Sequence, residues 1–366
     1  MSTGDDLEAV RQRIDVIDQD LLRLINDRAR CAQEVARIKA AAEQAGEEGT
    51  VQFYRPEREA AILRGIKERN PGPLGNEEAA RLFREIMSAC LALERPLNAA
   101  YLGPAGTFTQ AAVIKHFGHS VRTTALPSIG DIFREVEAGS CDYGVVPVEN
   151  STEGVISHTL DLFMTSPLAI AGEVSLRIHH HLLSGESDIR AIRVLYSHQQ
   201  SLAQCRGWLD RHLLHAERVA VDSNAEAARL AAGELGTAAV AGIQAAEIYG
   251  LQVLAERIED EPGNTTRFLV IGQKDAPPSG QDKTSLLLSC RNESGGLHGL
   301  LSPLADHGIS MTRIESRPSR RGIWDYVFFI DILGHRQDPE VASALAHLKH
   351  DALLFKVLGS YPVAVL

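Results

Sequence analysis

The chain has 366 residues, enough for two or three domains that each bury a core, and 44% of them are hydrophobic against 23% charged. A formal net charge of −11 argues against nucleic acid or an anionic membrane as a whole-surface partner, so any anion site must come from local placement of Arg and Lys. No apolar run is long enough to cross a bilayer, no leader pattern opens the chain, and five scattered cysteines indicate neither a disulfide frame nor a zinc site; a cytoplasmic protein is expected.

Residues 7–93 read as helix only. Leu7, Val10, Ile14, Ile17, Leu21, Leu24, Arg28, Cys31, Val35 and Ile38 alternate by three and four, the a and d seam of a heptad. A helix over 5–43 would be roughly 57 Å long. The rest of this segment is too small to cover it, so a second copy of the chain is expected to pack on it. Arg28 occupies an a position of that seam, and a guanidinium cannot shed its charge; buried there, it needs an anion. Arg11 and Lys39 lie in the column beside the seam. Lys39 is about 16 Å from Arg28 along the axis, whereas Arg11 is about 42 Å from Lys39. An antiparallel partner helix would bring Arg11 of the partner subunit to the Arg28 and Lys39 end. A second helix is predicted from Pro56, with Arg58 and Glu59 near its start, to the stop at Asn70-Pro71-Gly72-Pro73. A third runs from an Asn76 cap to about Glu94, and places Glu94 on a stripe with Phe83, Met87 and Cys90, where burial favours the neutral carboxylic acid.

From Ala99 short apolar runs alternate with helical stretches. Strands are predicted at 99–102, 143–148, 168–174, 194–196, 218–221, 238–241 and 268–271. Helices are predicted at 108–117, 129–137, 201–212 and 224–234. This is an α/β pattern, long enough for two lobes with a cleft, the chain entering the second lobe near 185–190. Two polar clusters interrupt the strand runs, Pro147-Val148-Glu149-Asn150-Ser151 and Asn264-Thr265-Thr266-Arg267-Phe268. Amide, hydroxyl and guanidinium groups at strand ends suit a cleft that holds a small anion. Gly103–Thr109 reads as strand, glycine loop and helix start, without the spacing of a P-loop or a dinucleotide turn. His179, His180 and His181 alternate faces if extended, so three rings cannot converge on one ion. Residues 275–283 have the composition of a linker. Beyond it, strands at 284–290, 310–315, 324–332 and 354–360 with helices at 297–307 and 339–349 give the β-α-β-β-α-β order of a ferredoxin-like α+β module.

These segments carry three family resemblances. Residues 7–95, with the spacing of Arg11, Arg28, Lys39, Arg58 and Glu59, resemble the all-helical chorismate mutases. That resemblance implies that Arg28, Arg58 and Arg11 of the partner subunit bind the carboxylates of chorismate. Lys39 and Glu94 would stabilise charge on the breaking ether, and Glu59 would take the ring hydroxyl. Arg55, Cys90 and Glu94 stand where that family commonly has Asp, Ser and Gln, with Cys90 on the substrate side. Gly103–Thr109, Val146–Gly154, Tyr196-Ser197-His198 and Thr266-Arg267-Phe268 resemble the successive motifs of prephenate dehydratase, which implies two periplasmic-binding-protein-like lobes. Thr266 then assists departure of the ring hydroxyl. Thr107, Asn150, Ser151, Ser197, Gln204 and Phe268 line the prephenate site, and Arg267 either holds a carboxylate or makes a structural ion pair.

The tail resembles an ACT regulatory domain, with Gly295, Gly296, Leu297, His298, Glu315, Ser316 and Arg317 at its ligand motifs and phenylalanine as the implied effector. Together the three imply a bifunctional enzyme organised as a mutase domain over 1–96, a dehydratase domain over 97–274 and an ACT domain over 284–366. It would rearrange chorismate to prephenate and convert that to phenylpyruvate, as a homodimer or higher oligomer, with no metal or organic cofactor. A dehydratase whose helices only dimerise, and a non-catalytic sensor, are the competing readings.

Overall fold

The structure is a computed structural model that describes residues 3–45, 53–291, 293–319 and 326–366. It divides into two compact units, one of Met1–Arg55, Gly65–Leu97 and Phe117–Arg122, the other of Pro56–Arg64, Asn98–His116 and Thr123–Leu366.

The first unit is helical. Helix α1 spans Thr3–Gln44, with Asp5 and Asp6 favourably placed in its first turn. Helix α2, Pro56–Arg69, starts with proline at a position where no N–H is needed, and its two halves fall in different units. Helix α3, Asn76–Glu94, buries Ala79, Ala80, Met87 and Cys90. Its cap is Gly75 rather than the expected Asn76, which is the first helical residue; the Asn76 side chain accepts from Asn70 Nδ2 at 2.9 Å instead of from its own helix. α1 packs on α3, yet Leu7, Val10, Ile14, Ile17, Leu21 and Leu24 on its seam are each about half exposed, and Ala32 is its one buried residue among those described.

The second unit holds three sheets. In chain order the elements are β1 Asn98–Leu102, α4 Phe108–Phe117, β2 Arg122–Leu126, α5 Ile129–Glu137, β3 Tyr143–Asn150, β4 Gly154–Val155, α6 Ser157–Phe163 and β5 Ala169–Arg177. The other lobe follows with β6 His181–Ser184, β7 Val194–His198, α7 Gln199–Gln204, α8 Arg206–His212, β8 Glu217–Val221, α9 Asn224–Gly233, β9 Thr237–Ala241, α10 Ile243–Tyr249 and β10 Gln252–Ala255. Then β11 Thr265–Gly272 returns to the first sheet, whose order is β2-β1-β3-β11-β5 with β4 on β3. The second sheet is ordered β10-β6-β9-β7-β8.

β5 and β6 belong to different sheets, so the chain changes lobes at residues 178–180, ahead of the expected 185–190. The predicted helix over 201–212 is two, because the backbone leaves helical geometry at Cys205 (φ −111°, ψ 11°). β2, β6, β10, α6 and α10 were not predicted. β2 is a short, half-exposed strand with Arg and two Thr, and α10 is seven residues long; neither holds enough apolar periodicity to be read.

The third sheet, ordered β13-β14-β12-β15, is built from β12 Asp282–Ser289, α11 Gly296–Asp306, β13 Met311–Pro318, β14 Tyr326–Leu333, α12 Pro339–Asp351 and β15 Leu354–Pro362, the expected β-α-β-β-α-β module. Residues 324 and 325 of the predicted third strand lie outside the described residues, and the predicted linker is shorter by the start of β12. This module shares a core with the first lobe: Leu287, Phe329, Leu358 and Tyr361 join one apolar cluster with Ile132, Val146, Leu160 and Ile170. At Gly359 of β15 a Cβ would lie 2.2 Å from the carbonyl oxygen of Ile170 in β5, so only glycine permits that approach.

Candidate active sites

In the helical unit, Lys39 Nζ lies 3.3 Å from Glu94 Oε2, joining α1 to the last residue of α3. Both side chains are largely shielded, 17% and 15% exposed. The ring of Phe53 sits below the same ammonium, 5.0 Å from centroid to Nζ, and also takes the Arg95 guanidinium at 5.5 Å. The predicted Lys39 and Glu94 pair is therefore assembled, but the apolar surroundings expected for Glu94 are replaced by an ammonium.

Arg28 is half-buried on α1 and has no hydrogen bond or ion pair among the described residues. Arg11 is exposed and pairs with Glu8 one turn back, at 3.9 Å. Cys90 is buried at 3% exposure on the α3 stripe. Arg58 and Glu59 stand on the first turn of α2, which groups with the second unit, Arg58 exposed and Glu59 half-buried.

In the second unit, β11 inserts between β3 and β5, and its register sets Thr266 opposite Asn150. Asn150 Nδ2 donates to Thr266 Oγ1 at 2.8 Å and to Asn264 Oδ1 at 2.7 Å. Its Oδ1 accepts from the backbone N–H groups of Thr152 (3.0 Å) and Glu153 (3.1 Å) in the turn to β4. The second lobe enters through α7: Gln204 Oε1 accepts from Asn264 Nδ2 at 3.2 Å, and Gln204 Nε2 faces Glu153 Oε1 at 3.4 Å. Thr266, Asn150 and Gln204, up to 116 residues apart, are thus joined in one chain of polar contacts.

Sense along this chain is set by the backbone. Two N–H groups can only donate, so the Asn150 oxygen must face them and its amide nitrogen must face Thr266 and Asn264. Thr266 Oγ1 therefore accepts, which leaves its own O–H without an acceptor among the described residues. Thr266 is 9% exposed.

Other expected contacts are taken up by the protein itself. Arg267, the next residue of β11, points to the opposite face, as strand alternation demands. It bonds Glu173 Oε2 at 3.0 Å, Asp331 Oδ2 at 2.6 Å and Tyr361 Oη at 3.1 Å. Burial works against its charge, but Tyr361, Asp331 and Glu173 outweigh that and hold it above the ordinary arginine range. Of the two readings open for Arg267, carboxylate binder or structural ion pair, its contacts are those of the ion pair, locking β11 to β5 and the C-terminal sheet.

Ser197 is fully buried with its hydroxyl 2.9 Å from both Asn224 Oδ1 and the Val240 carbonyl, so it braces Asn224 rather than facing the cleft. Thr107 donates to the Leu102 carbonyl at 2.9 Å and caps α4 through Gln110 N at 3.4 Å. Ser151 Oγ accepts from Thr265 N at 2.9 Å, and Phe268 is buried at 2% exposure. Asn264 and His180 belong to the polar chain too, although the sequence offers Asn264 only as part of a polar cluster and His180 only as part of a histidine run. Asn264 stands two residues before Thr266, a spacing that puts both on one strand face and could have revealed it.

The three histidines diverge: His179 Nδ1 meets Glu259 Oε1 at 2.7 Å, His180 Nε2 meets Gln204 Oε1 at 2.9 Å, and His181 enters β6.

In the C-terminal module, Gly295 caps α11 with φ 80° and Gly296 has no room for a Cβ, which would lie 2.6 Å from the Arg291 carbonyl. Leu297 is half-buried and His298 exposed. On β13, Glu315 and Arg317 are half-buried and Ser316 is exposed. Arg317 reaches Ser157 Oγ at 2.7 Å and Asp161 Oδ1 at 2.9 Å on α6, and Arg313 reaches Glu149 Oε2 at 2.9 Å, so β13 grips the first lobe.

Fold and sites together define a multidomain enzyme with a helical domain, a two-lobed α/β cleft and a ferredoxin-like module. Three family models match in chain order: Chorismate mutase type II over residues 10–95, Prephenate dehydratase over 99–276 and ACT domain over 284–349. The chain is 59% identical over 367 residues, covering 100% of both proteins, to the bifunctional chorismate mutase/prephenate dehydratase of Stutzerimonas stutzeri. Among solved structures, prephenate dehydratase from Arthrobacter aurescens in complex with L-Phe is 33% identical with a TM-score of 0.67, over 73% of this chain and 90% of that one. GqqA, described as a novel type of quorum-quenching acylase, is 30% identical with a TM-score of 0.68, over 73% and 98%. The chain belongs to the bifunctional chorismate mutase/prephenate dehydratase family.

Proposed function

We propose that the two reactions of this family run here on the residues described above, chorismate rearranging in the helical unit and prephenate losing water and carbon dioxide in the cleft. In the first, Arg28, Arg58 and Arg11 of the partner subunit hold the two carboxylates. Lys39 and Glu94 bond the ether oxygen as its C–O bond breaks, Cys90 packs one turn away, and Glu59 receives the ring hydroxyl. The half-exposed apolar seam of α1 supports assembly with a second copy, since about 0.8 kcal/mol per buried methylene favours covering it.

In the second reaction, the prephenate ring carboxylate leaves as carbon dioxide. The C–C pair becomes the new ring double bond, and the ring hydroxyl departs with a proton from Thr266 or relayed through it. Asn150, by donating to Thr266 Oγ1, keeps that hydroxyl in donor orientation, and Gln204 orients the substrate. The free O–H of Thr266 carries this reading.

The C-terminal module takes an amino-acid effector, phenylalanine by analogy with the L-Phe complex above. The amine-bearing carboxylate meets the N–H groups at the start of α11 near Gly295–His298. Glu315, Ser316 and Arg317 on β13 would report occupancy to α6.

Mixing the purified chain with chorismate alone and with prephenate alone, and following phenylpyruvate, tests the reading. Product from both supports it; product from prephenate only would reduce the helical unit to a dimeriser. Product from neither would leave a sensor.

A further inference from the structure

The polar chain behind Thr266 ends at a residue to which no role has been assigned. His180 lies in the lobe-crossing segment 178–180, is 1% exposed, and packs its ring edge on Phe108 at 5.6 Å between centroids. Its backbone is pinned on both sides: its N–H donates to Glu259 Oε2 at 3.0 Å and its carbonyl accepts from Ile258 N at 2.8 Å.

The sense argument continues into this ring. Asn150 Nδ2 faces Asn264 Oδ1, so Asn264 Nδ2 faces Gln204, and Gln204 must offer its oxygen there. The same oxygen lies 2.9 Å from His180 Nε2, so that nitrogen must carry the hydrogen. Nδ1 is then a bare lone pair, and it has no hydrogen-bond partner among the described residues. Burial also holds the imidazole below its ordinary range, so the ring stays neutral.

We propose that His180 is a positioning residue for the dehydratase reaction: its Nε2–H locks the Gln204 side-chain amide with oxygen inward and nitrogen toward Glu153, presenting N–H donors and not a carbonyl to the anionic substrate. Without it, Gln204 Oε1 keeps one donor, Asn264, and the amide can turn over, aiming its oxygen at a carboxylate. A buried, uncompensated hydrogen-bond group of this kind is worth about tenfold in rate or binding. Because His180 sits where the chain changes lobes, it also ties the position of Gln204 on α7 to the lobe junction. This inference rests on the site reading above, in which Gln204 touches prephenate.

The test is steady-state dehydratase kinetics on the full chain, with mutase turnover of the same preparation as the control for folding. His180→Leu is expected to lower dehydratase kcat/KM by about tenfold while mutase turnover is unchanged. His180→Gln, which restores an N–H donor, is expected to recover to within about threefold of the parent. In a Gln204→Ala background, His180→Leu is expected to cost nothing further, because both act through one group.

Full activity of His180→Leu overturns the proposal, as does an equal loss in both backgrounds, which would mark a merely structural role. Should His180→Leu fail to fold, His180→Asn, whose shorter amide falls short of Gln204, takes its place with the same expected loss. Thr266→Ala separates the two levels. If it retains turnover, the site reading itself fails; if it abolishes turnover while His180→Leu is fully active, only the role of His180 fails.

Discussion

Arg28 and Arg267 are both arginines for which the sequence offers a carboxylate as partner, for Arg267 as one of two readings, and the two units treat them in opposite ways. On α1 the guanidinium of Arg28 stands half-buried with no acid paired to it among the described residues. On β11 the guanidinium of Arg267 is ringed by Glu173, Asp331 and Tyr361. The second is a rivet between sheets. Under the proposed function, the helical unit would meet its substrate with the cation of Arg28, the α/β unit with neutral amides and a hydroxyl whose directions the backbone has already decided. An isolated arginine in an apolar heptad and an arginine in a strand look equally suspicious in a sequence. Only the identity of the neighbours from distant segments separates them.

The largest effect should come from the neutral site. Thr266→Ala removes the free hydroxyl and is expected to lower dehydratase turnover by about 10³-fold, within the range of general acid catalysis. Thr266→Ser should retain most of it, and mutase turnover should be untouched in both. Assays of each half-reaction on one preparation check this, and a retained alanine rate would remove Thr266 from the chemistry. Next, Arg28→Ala should depress mutase kcat/KM by about 10²-fold, the loss of a charge-assisted contact, without moving the dehydratase. An unchanged mutase would turn Arg28 into a packing residue and erase the contrast with Arg267.

Arg267→Met sharpens the same contrast from the other side. Removing the guanidinium strips Asp331 of its cation at 8% side-chain exposure, while Glu173, 3% exposed, keeps Lys283 Nζ at 2.8 Å. The second unit should lose about 3–5 kcal/mol of stability. In the folded fraction the KM for prephenate should stay near the parent value. A large rise in KM with unchanged stability would restore Arg267 as the carboxylate receptor.

How much of this was legible in the sequence follows from what each feature needs. α1, α4 and α5 were readable because their apolar spacing and flanking residues are local; Ser128 caps α5 by accepting from Asp131 N, three residues away. The first and second sheets could be read only in part and not ordered, since β2, β6 and β10 carry too little local signal and β11 pairs with β3 across more than a hundred residues. Thr266 and Asn150 stand in motifs the sequence displays, and the structure joins them in one polar chain with Gln204. Asn264 and His180 are visible in the sequence only as part of a polar cluster and of a histidine run, since their place in that chain lies in what they touch. Ser197 and Thr107 are motif residues whose hydroxyls bond within the fold, Ser197 to Asn224 and Thr107 to the Leu102 carbonyl ahead of α4.

The smallest expected effect concerns acid, and it falls on the second unit alone. Burial holds His180 and His181 below the ordinary imidazole value of 6.5. Their unfolded forms therefore take up protons first as pH falls, which draws the equilibrium toward the unfolded chain. The sign is fixed: the contribution is fully present above about pH 6.5 and declines below it. Glu259 adds a second stage. Burial raises its pKa, but bonds from His179 and from the His180 backbone outweigh that and leave it below the ordinary 4.5, so its contribution is lost only at more acid pH. Urea unfolding followed between pH 7.5 and 4, about one pH unit at a time, should thus show a gentle decline in midpoint that steepens near the carboxylate range. In His180→Gln the first stage should shrink while the second remains. A midpoint that falls identically in parent and variant would mean that the buried ring does not titrate as its surroundings require.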